Sequence, residues 1–165
     1  MKTISQLKQL PDRVENPCFA CGKDNAFGLK MTFYTDEQSV YSFVSLPNHL
    51  CGFKNIVHGG IISTLLDEIM SWSAIYLLDR LILTKSMTVH FVKPIFVNTD
   101  LTVQGYVLDH MNDREAKMTG KIYNKNDELC AYSEGQFALF TAESIKKLKI
   151  MDEASIENFN RTFGT

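Results

Sequence analysis

The residues best suited to chemistry lie in one stretch, Asn55-Ile56-Val57-His58-Gly59-Gly60-Ile61-Ile62-Ser63-Thr64-Leu65-Leu66-Asp67. Gly59 and Gly60 open what reads as a long helix, and without a Cβ they leave the backbone N–H groups there unobstructed. The first N–H groups of a helix have no intrahelical acceptor, and the helix dipole adds partial positive charge at the same end. Together they suit a carbonyl oxygen that is becoming an oxyanion. Asp67 is the second component. On a helix it shares a side with Ser63, Thr64, Ser71 and Ala74, which is small and polar rather than charged like a solvated face. Burying a carboxylate costs free energy unless it is paired or solvated. A cleft that admits substrate and water accounts for it, and there Asp67 would serve as general base or nucleophile. Asp67 is eight residues past Gly59, about 12 Å along a helix at ~1.5 Å per residue. One small carbonyl cannot touch both. If they serve one reaction, they come from two chains meeting across a two-fold interface.

The elements that must position these groups follow from periodicity. The helix runs roughly from Gly59 to Leu78. Its broad apolar arc is Ile61, Ile62, Leu65, Leu66, Ile69, Trp72, Tyr76 and Leu77, at ~100° per residue. Before it, Leu29–Tyr34 and Val40–Val44 alternate and form a hairpin about the polar turn Thr35-Asp36-Glu37-Gln38. Pro47–Asn55 reads as a loop. After it the period returns to two in Leu83–Val92, Leu101–Leu108, Ala116–Tyr123 and Leu129–Phe140. Turns fall at Pro94–Asp100, Asp109–Asp113 and Asn124–Glu128. One helix with two strands before it and four after is an α+β pattern, with a curved antiparallel sheet wrapped around the helix. The outer face of such a sheet needs cover, which a second subunit would supply. Residues 1–26 read as an N-terminal extension, 27–141 as the main domain and 142–165 as a charged, weakly helical tail.

Bulk properties narrow the class. The chain has 165 residues, is 45% hydrophobic and 22% charged, and carries a formal net charge of −2, which suits one globular domain with a full core. No basic block or acidic tail is present, so no nucleic-acid partner is expected. The first residues lack the apolar stretch of a signal peptide. The most apolar segment, Ile61–Leu78, is interrupted by Asp67 and Glu68, so no membrane span is expected. Cys18, Cys21, Cys51 and Cys130 read as free thiols, which places the protein in the cytoplasm. Cys18-x-x-Cys21 with His49 and Cys51 offers four ligand types for zinc, but His-x-Cys is an atypical second half. Buried thiols and no metal are the reading adopted.

The order and spacing of several short motifs resemble the hotdog-fold acyl-CoA thioesterases, in particular their phenylacetate-pathway branch, over roughly residues 16 to 140. His58-Gly59-Gly60, six residues, then Asp67-Glu68 matches the helix signature. Asn16-Pro17-Cys18-Phe19-Ala20-Cys21-Gly22, Asp24-Asn25 and Phe27-Gly28-Leu29 match the opening segment of a bacterial subgroup. Met87-Thr88-Val89-His90-Phe91-Val92-Lys93-Pro94 matches the strand after the helix. Asp113-Arg114-Glu115-Ala116 and Asp127-Glu128-Leu129-Cys130-Ala131 match the last hairpin.

The resemblance implies a hotdog fold and hydrolysis of an acyl-CoA to CoA and a free acid, in a homodimer or dimer of dimers. Asp67 takes the place of the catalytic carboxylate. Gly59 and Gly60 take that of the helix start that polarises the thioester carbonyl. His58 matches a residue that lines the loop and contacts substrate, and Thr84 a Ser or Thr that orients water. Many relatives have Asn, Gln or His six residues before the His; here that position is Gly52, so Asn55 or His49 would stand in. Glu68, ~100° round the helix from Asp67, is a structural residue or a rim residue of the substrate site rather than a second catalytic acid. Lys85, Lys93 and Arg114 are the cations available to CoA phosphates, and each equally suits a solvated surface. No cofactor is expected, because a thiolate is already a good leaving group. An acyl-CoA-binding protein without activity, a hotdog dehydratase or hydratase, and a purely structural or interaction protein are the alternatives left open.

Overall fold

The computed structural model describes residues 2–13 and 15–163. Its strands are β1 (Lys8–Gln9), β2 (Phe33–Thr35), β3 (Val40–Ser45), β4 (Cys51–Phe53) and β5 (Ile56–Val57), followed by helix α1 (Gly59–Leu78). Then come β6 (Leu81–Phe91), β7 (Asp100–Asn112), β8 (Glu115–Asn124) and β9 (Leu129–Phe140), and last α2 (Ala142–Lys147) and α3 (Glu153–Phe163). Seven strands form one antiparallel sheet in the order β1-β2-β3-β7-β8-β9-β6, and β4 and β5 form a separate two-stranded ribbon. Helix α1 packs against β3, β6, β7, β8 and β9, so the sheet curls around it in the hotdog arrangement.

The helix can sit this deep because the sheet is hollowed where it passes. Gly105 of β7 and Gly120 of β8 are directly paired. A Cβ on Gly105 would fall 2.5 Å from Ser73 Oγ and 2.8 Å from the Ile69 carbonyl oxygen. One on Gly120 would lie 3.1 Å from Ile69 Cγ2 and 3.2 Å from the Leu66 carbonyl oxygen. Leu65, Leu66, Ile69, Met70 and Ala74 are fully buried as a result. Ala74 therefore belongs to the core side, not to the small polar side expected of it. By length and composition α1 could cross a membrane, but half of it is buried inside the fold, as the axis of the core.

Several boundaries differ from the sequence reading for local reasons. Strand β2 begins only at Phe33, because Lys30 takes a left-handed backbone (φ 53°) and interrupts the extension. The Pro47–Asn55 segment holds a 3-10 turn at Asn48–Leu50 and strand β4, which the ribbon with β5 makes possible. Strands β7 and β8 continue pairing to Asn112 and Glu115, so the connection shrinks to Asp113-Arg114. Asn112 Oδ1 accepts the Arg114 N–H at 2.9 Å and closes that turn. The N-terminal segment adds β1 to the sheet edge and buries Leu10, Ala20, Cys21 and Met31 in the main core. At the other end, Ile145, Ile156 and Phe159 of α2 and α3 form a smaller core with Ile75 and Leu81.

The trough makes a testable demand. Gly105→Ala should destabilise the fold by about 1–3 kcal/mol, as overpacking commonly does. Gly120→Ala should cost less, because its contacts are looser. Denaturant midpoints of the two variants check the order.

Candidate active site

The site is built from the two ends of β6 and the two stretches of α1 beside them. His58 caps α1 with an extended backbone (φ −62°, ψ 136°), and its Nδ1 accepts the Gly60 N–H at 2.9 Å. The N–H groups of Ile61 and Ile62 both donate to the His58 carbonyl, at 2.9 and 3.2 Å. Three of the first four helix amides are thus used. Gly59 is the exception: its N–H has no acceptor among the described residues. The expected pair of polarising amides reduces to one, because Gly60 is consumed by its own cap. The same bond defines the histidine. A neutral His58 with Nδ1 as acceptor carries its proton on Nε2, pointing away from the helix.

Around Gly59 lies an apolar cleft of about 500 Å³, whose walls include Phe53, Ile56, His58, Phe91, Val92 and Lys93. Phe53 is 80% exposed and Phe91 58%, a high level for large apolar rings. Phe91 stands over the helix start, with ring atoms 3.5 and 3.6 Å from where a Cβ on Gly59 would be. Phe53 and Phe91 are wall residues that pattern reasoning missed, since in sequence they read only as strand or loop aromatics. Gly52 packs against His58, where a Cβ would come within 3.1 Å of its ring. Asn55 is a turn residue with left-handed backbone (φ 66°), and it is not among the residues lining this cleft. His49 lies on a different concavity, with Phe27, Leu29 and Phe43.

Asp67 sits two turns further along α1 and faces the opposite end of β6. Thr84 Oγ1 donates to Asp67 Oδ1 at 2.8 Å, and Asp67 has no other hydrogen-bond partner among the described residues. Burial pushes the Asp67 carboxyl up from its ordinary value, while the Thr84 hydroxyl pulls it back toward the ionised form. Its second oxygen is left to accept a proton. Thr84, expected to place water, is here bonded to the carboxylate itself.

The remaining candidates divide. Lys93 lines the cleft at the Gly59 end and pairs with Glu128 on the rim. Arg114 lies exposed in the β7–β8 turn, and Lys85 pairs with Glu115 near that end of the sheet. Glu68 does not line the Gly59 cleft, which fits the structural of its two expected roles. One position round the helix from Asp67, its carboxylate turns toward the N-terminal segment, where it accepts Trp72 Nε1–H at 3.0 Å and lies 3.8 and 3.9 Å from the Cys18 sulfur. His49 and Cys51 are not with Cys18 and Cys21, so the four-ligand set weighed from the sequence does not assemble.

A carboxylate on the core helix of a hotdog sheet, with an uncapped amide two turns away, defines a class of protein. Residues 54–131, a little under half of the chain, match the model of the thioesterase superfamily, a span that holds Gly59, Asp67 and Thr84. No curated protein matches the chain significantly. Among solved structures, a thioesterase superfamily protein aligns with a TM-score of 0.67 and 23% identity over 74% of this chain. The aligned region spans only 60% of that protein's length. The PaaI protein of E. coli, from the phenylacetic acid degradation operon, aligns with a TM-score of 0.61 and 16% identity over 68% of this chain and 81% of its own. A hypothetical thioesterase from Streptococcus pneumoniae, solved with coenzyme A, aligns with a TM-score of 0.58 and 19% identity over 62% of this chain and 81% of its own. At these identities the likeness is one of fold.

The cap at the helix start is measurable. His58→Ala should lower stability by about 1 kcal/mol, the usual cost of losing an N-cap, and His58→Asn should retain most of it. Urea denaturation of the two variants distinguishes them.

Proposed function

We propose that the protein hydrolyses an acyl-CoA thioester to a free acid and CoA. The observation that carries this reading is the 2.8 Å bond from Thr84 to Asp67. It aims a half-buried carboxylate, with one oxygen free, which is what activation of a water or direct attack on a carbonyl requires. The Gly59 amide, at a helix start and without an acceptor, would receive the oxygen of the tetrahedral intermediate. The apolar cleft beside it suits an acyl chain or the pantetheine arm. Lys93 stands at its edge for a phosphate. The coenzyme A seen with the Streptococcus thioesterase supports this ligand class.

The reaction needs two chains. Within one chain, Asp67 is about 12 Å along the helix from Gly59, and it does not line the cleft that Gly59 lines. Strand β6 offers the remedy. Among the described residues it pairs only with β9, leaving an eleven-residue edge with Leu83 and Phe91 exposed. Long open edges of this kind are normally covered. An antiparallel β6–β6 pairing about a two-fold near the strand's middle sets the Thr84 end of one chain beside the Phe91 end of the other. That brings Asp67 and Thr84 to the partner's Gly59.

A panel of acyl-CoA thioesters with a free-thiol readout tests the activity. Asp67→Asn should lower kcat by at least ~100-fold while leaving KM within a few-fold. Near-normal turnover would remove Asp67 from the chemistry. The shared site has its own test. Proline is tolerated at the first helical position, so Gly59→Pro removes the donor amide without breaking α1. Mixing that variant with Asp67→Asn, after subunit exchange, should restore roughly a quarter of wild-type activity, since half the dimers are mixed and each has one intact site. No recovery despite proven exchange would place both groups in one chain.

A further inference from the structure

The N-terminal segment meets α1 through three side chains that the proposed hydrolysis does not use. Cys18, Cys21 and Glu68 bring two sulfurs and a carboxylate oxygen within 4.8 Å of one another. We propose that these three residues hold a divalent metal ion of the zinc class, with water in the fourth position. The ion would fasten the N-terminal segment to the helix that carries Asp67.

Four features support this. The first is spacing. With Zn–S near 2.3 Å and Zn–O near 2.1 Å, a tetrahedral S···O edge is about 3.6 Å. The Cys18 sulfur lies 3.8 and 3.9 Å from the two Glu68 oxygens, so a few tenths of an ångström complete the geometry.

The second is the turn that presents the sulfurs. Gly22 N–H donates to the Cys18 carbonyl at 2.9 Å, closing Cys18-Phe19-Ala20-Cys21-Gly22 into a tight loop. A Cβ on Gly22 would fall 2.2 Å from the Asn16 carbonyl oxygen, so the loop requires glycine. Backbone N–H groups of Cys21 and Ala20 reach the Cys18 sulfur. Amides aimed at a sulfur favour thiolate, the form that binds metal.

The third is the supporting shell. Asn16 Nδ2 donates to the Cys21 sulfur at 3.2 Å, and Asn16 Oδ1 accepts the Cys18 N–H at 3.1 Å. Trp72 Nε1 donates to Glu68 at 3.0 Å and is itself stacked on Phe33, with centroids 4.2 Å apart. Ligands oriented this way by their neighbours are typical of metal sites.

The fourth is charge. Glu68 forms no ion pair with a Lys or Arg among the described residues. A carboxylate so placed beside thiols lacks a counter-ion that a divalent cation would provide. Two thiolates, a carboxylate and a dication leave one negative charge, and Arg13, with its Nε buried and unpartnered, is at hand to balance it. Two thiolate ligands select zinc-like ions over magnesium or calcium.

The test uses the full chain and does not depend on thioester hydrolysis. Protein produced with zinc in the medium should contain close to one zinc per chain by elemental mass spectrometry. Cys21→Ser should drop this below a tenth, whereas Cys51→Ser should not change it. Chelator-treated, reduced wild type should bind one equivalent of cobalt with thiolate-to-cobalt charge transfer and intense tetrahedral d–d absorption. Glu68→Gln should weaken that binding at least tenfold. Zinc should raise the wild-type melting temperature by roughly 5–10 °C at a hundredfold excess over Kd. Magnesium should not. Reduced wild type that takes up neither metal would overturn the proposal. So would a Cys18–Cys21 disulfide in protein isolated without oxidant, or metal content unchanged in a Cys18→Ser, Cys21→Ser double variant.

Discussion

The close seating of α1 on Gly105 and Gly120 sets the positions of the other parts. Those two glycines put Leu66 and Ile69 against the floor of the sheet. Successive residues on a helix then point ~100° apart, so fixing Leu66 fixes its neighbours. Asp67 is turned to β6, where Thr84 waits, and Glu68 to the N-terminal segment, where the two thiols wait. Adjacent acids receive unlike surroundings from one packing constraint. Rotating the helix by a fraction of a turn would misplace both, so the core and the chemistry are one specification.

The helix start shows how a single side chain can limit what the backbone offers. Free N–H groups there are a resource for binding negative charge, yet leaving them unpaired costs stability. His58 satisfies one with its ring and two with its carbonyl, and only Gly59 remains. The result is one directed donor rather than a diffuse positive end. The opening beside Gly59 is walled largely by apolar side chains, so few other polar groups compete with that donor.

Much of this was legible because the signals were local. The 3.6-residue period of Ile61 to Leu77 and the glycines before it marked α1, and strict alternation marked the strands after it. The functional pairings were harder, because they join distant residues. Thr84 could be placed near Asp67 only through likeness to a family. Glu68 fitted a structural or a rim role, because sequence shows its position on the helix but not what packs over it. Cys18 and Cys21 stood out as a pair, but their third member lies fifty residues away in a different element. The ends of β7 and β8 escaped because Asp109, His110 and Asn112 are turn formers by composition. There the hydrogen-bond ladder overrode composition.

The strand order has a consequence for how the molecule comes into being. Strand β6 follows α1 directly in sequence, yet its neighbour in the sheet is β9, the last strand of the chain. On a ribosome, β6 must therefore leave the exit tunnel before its partner in the sheet exists, whereas α1 already has β3 to lie against and meets β7 and β8 next. The strand waits through some forty further residues of synthesis, until Leu129–Phe140 arrives. Nascent chains of this topology keep β6 unpaired for that interval. Slow translation over residues 81–129 would lengthen the exposure, whereas rapid completion of β9 would end it.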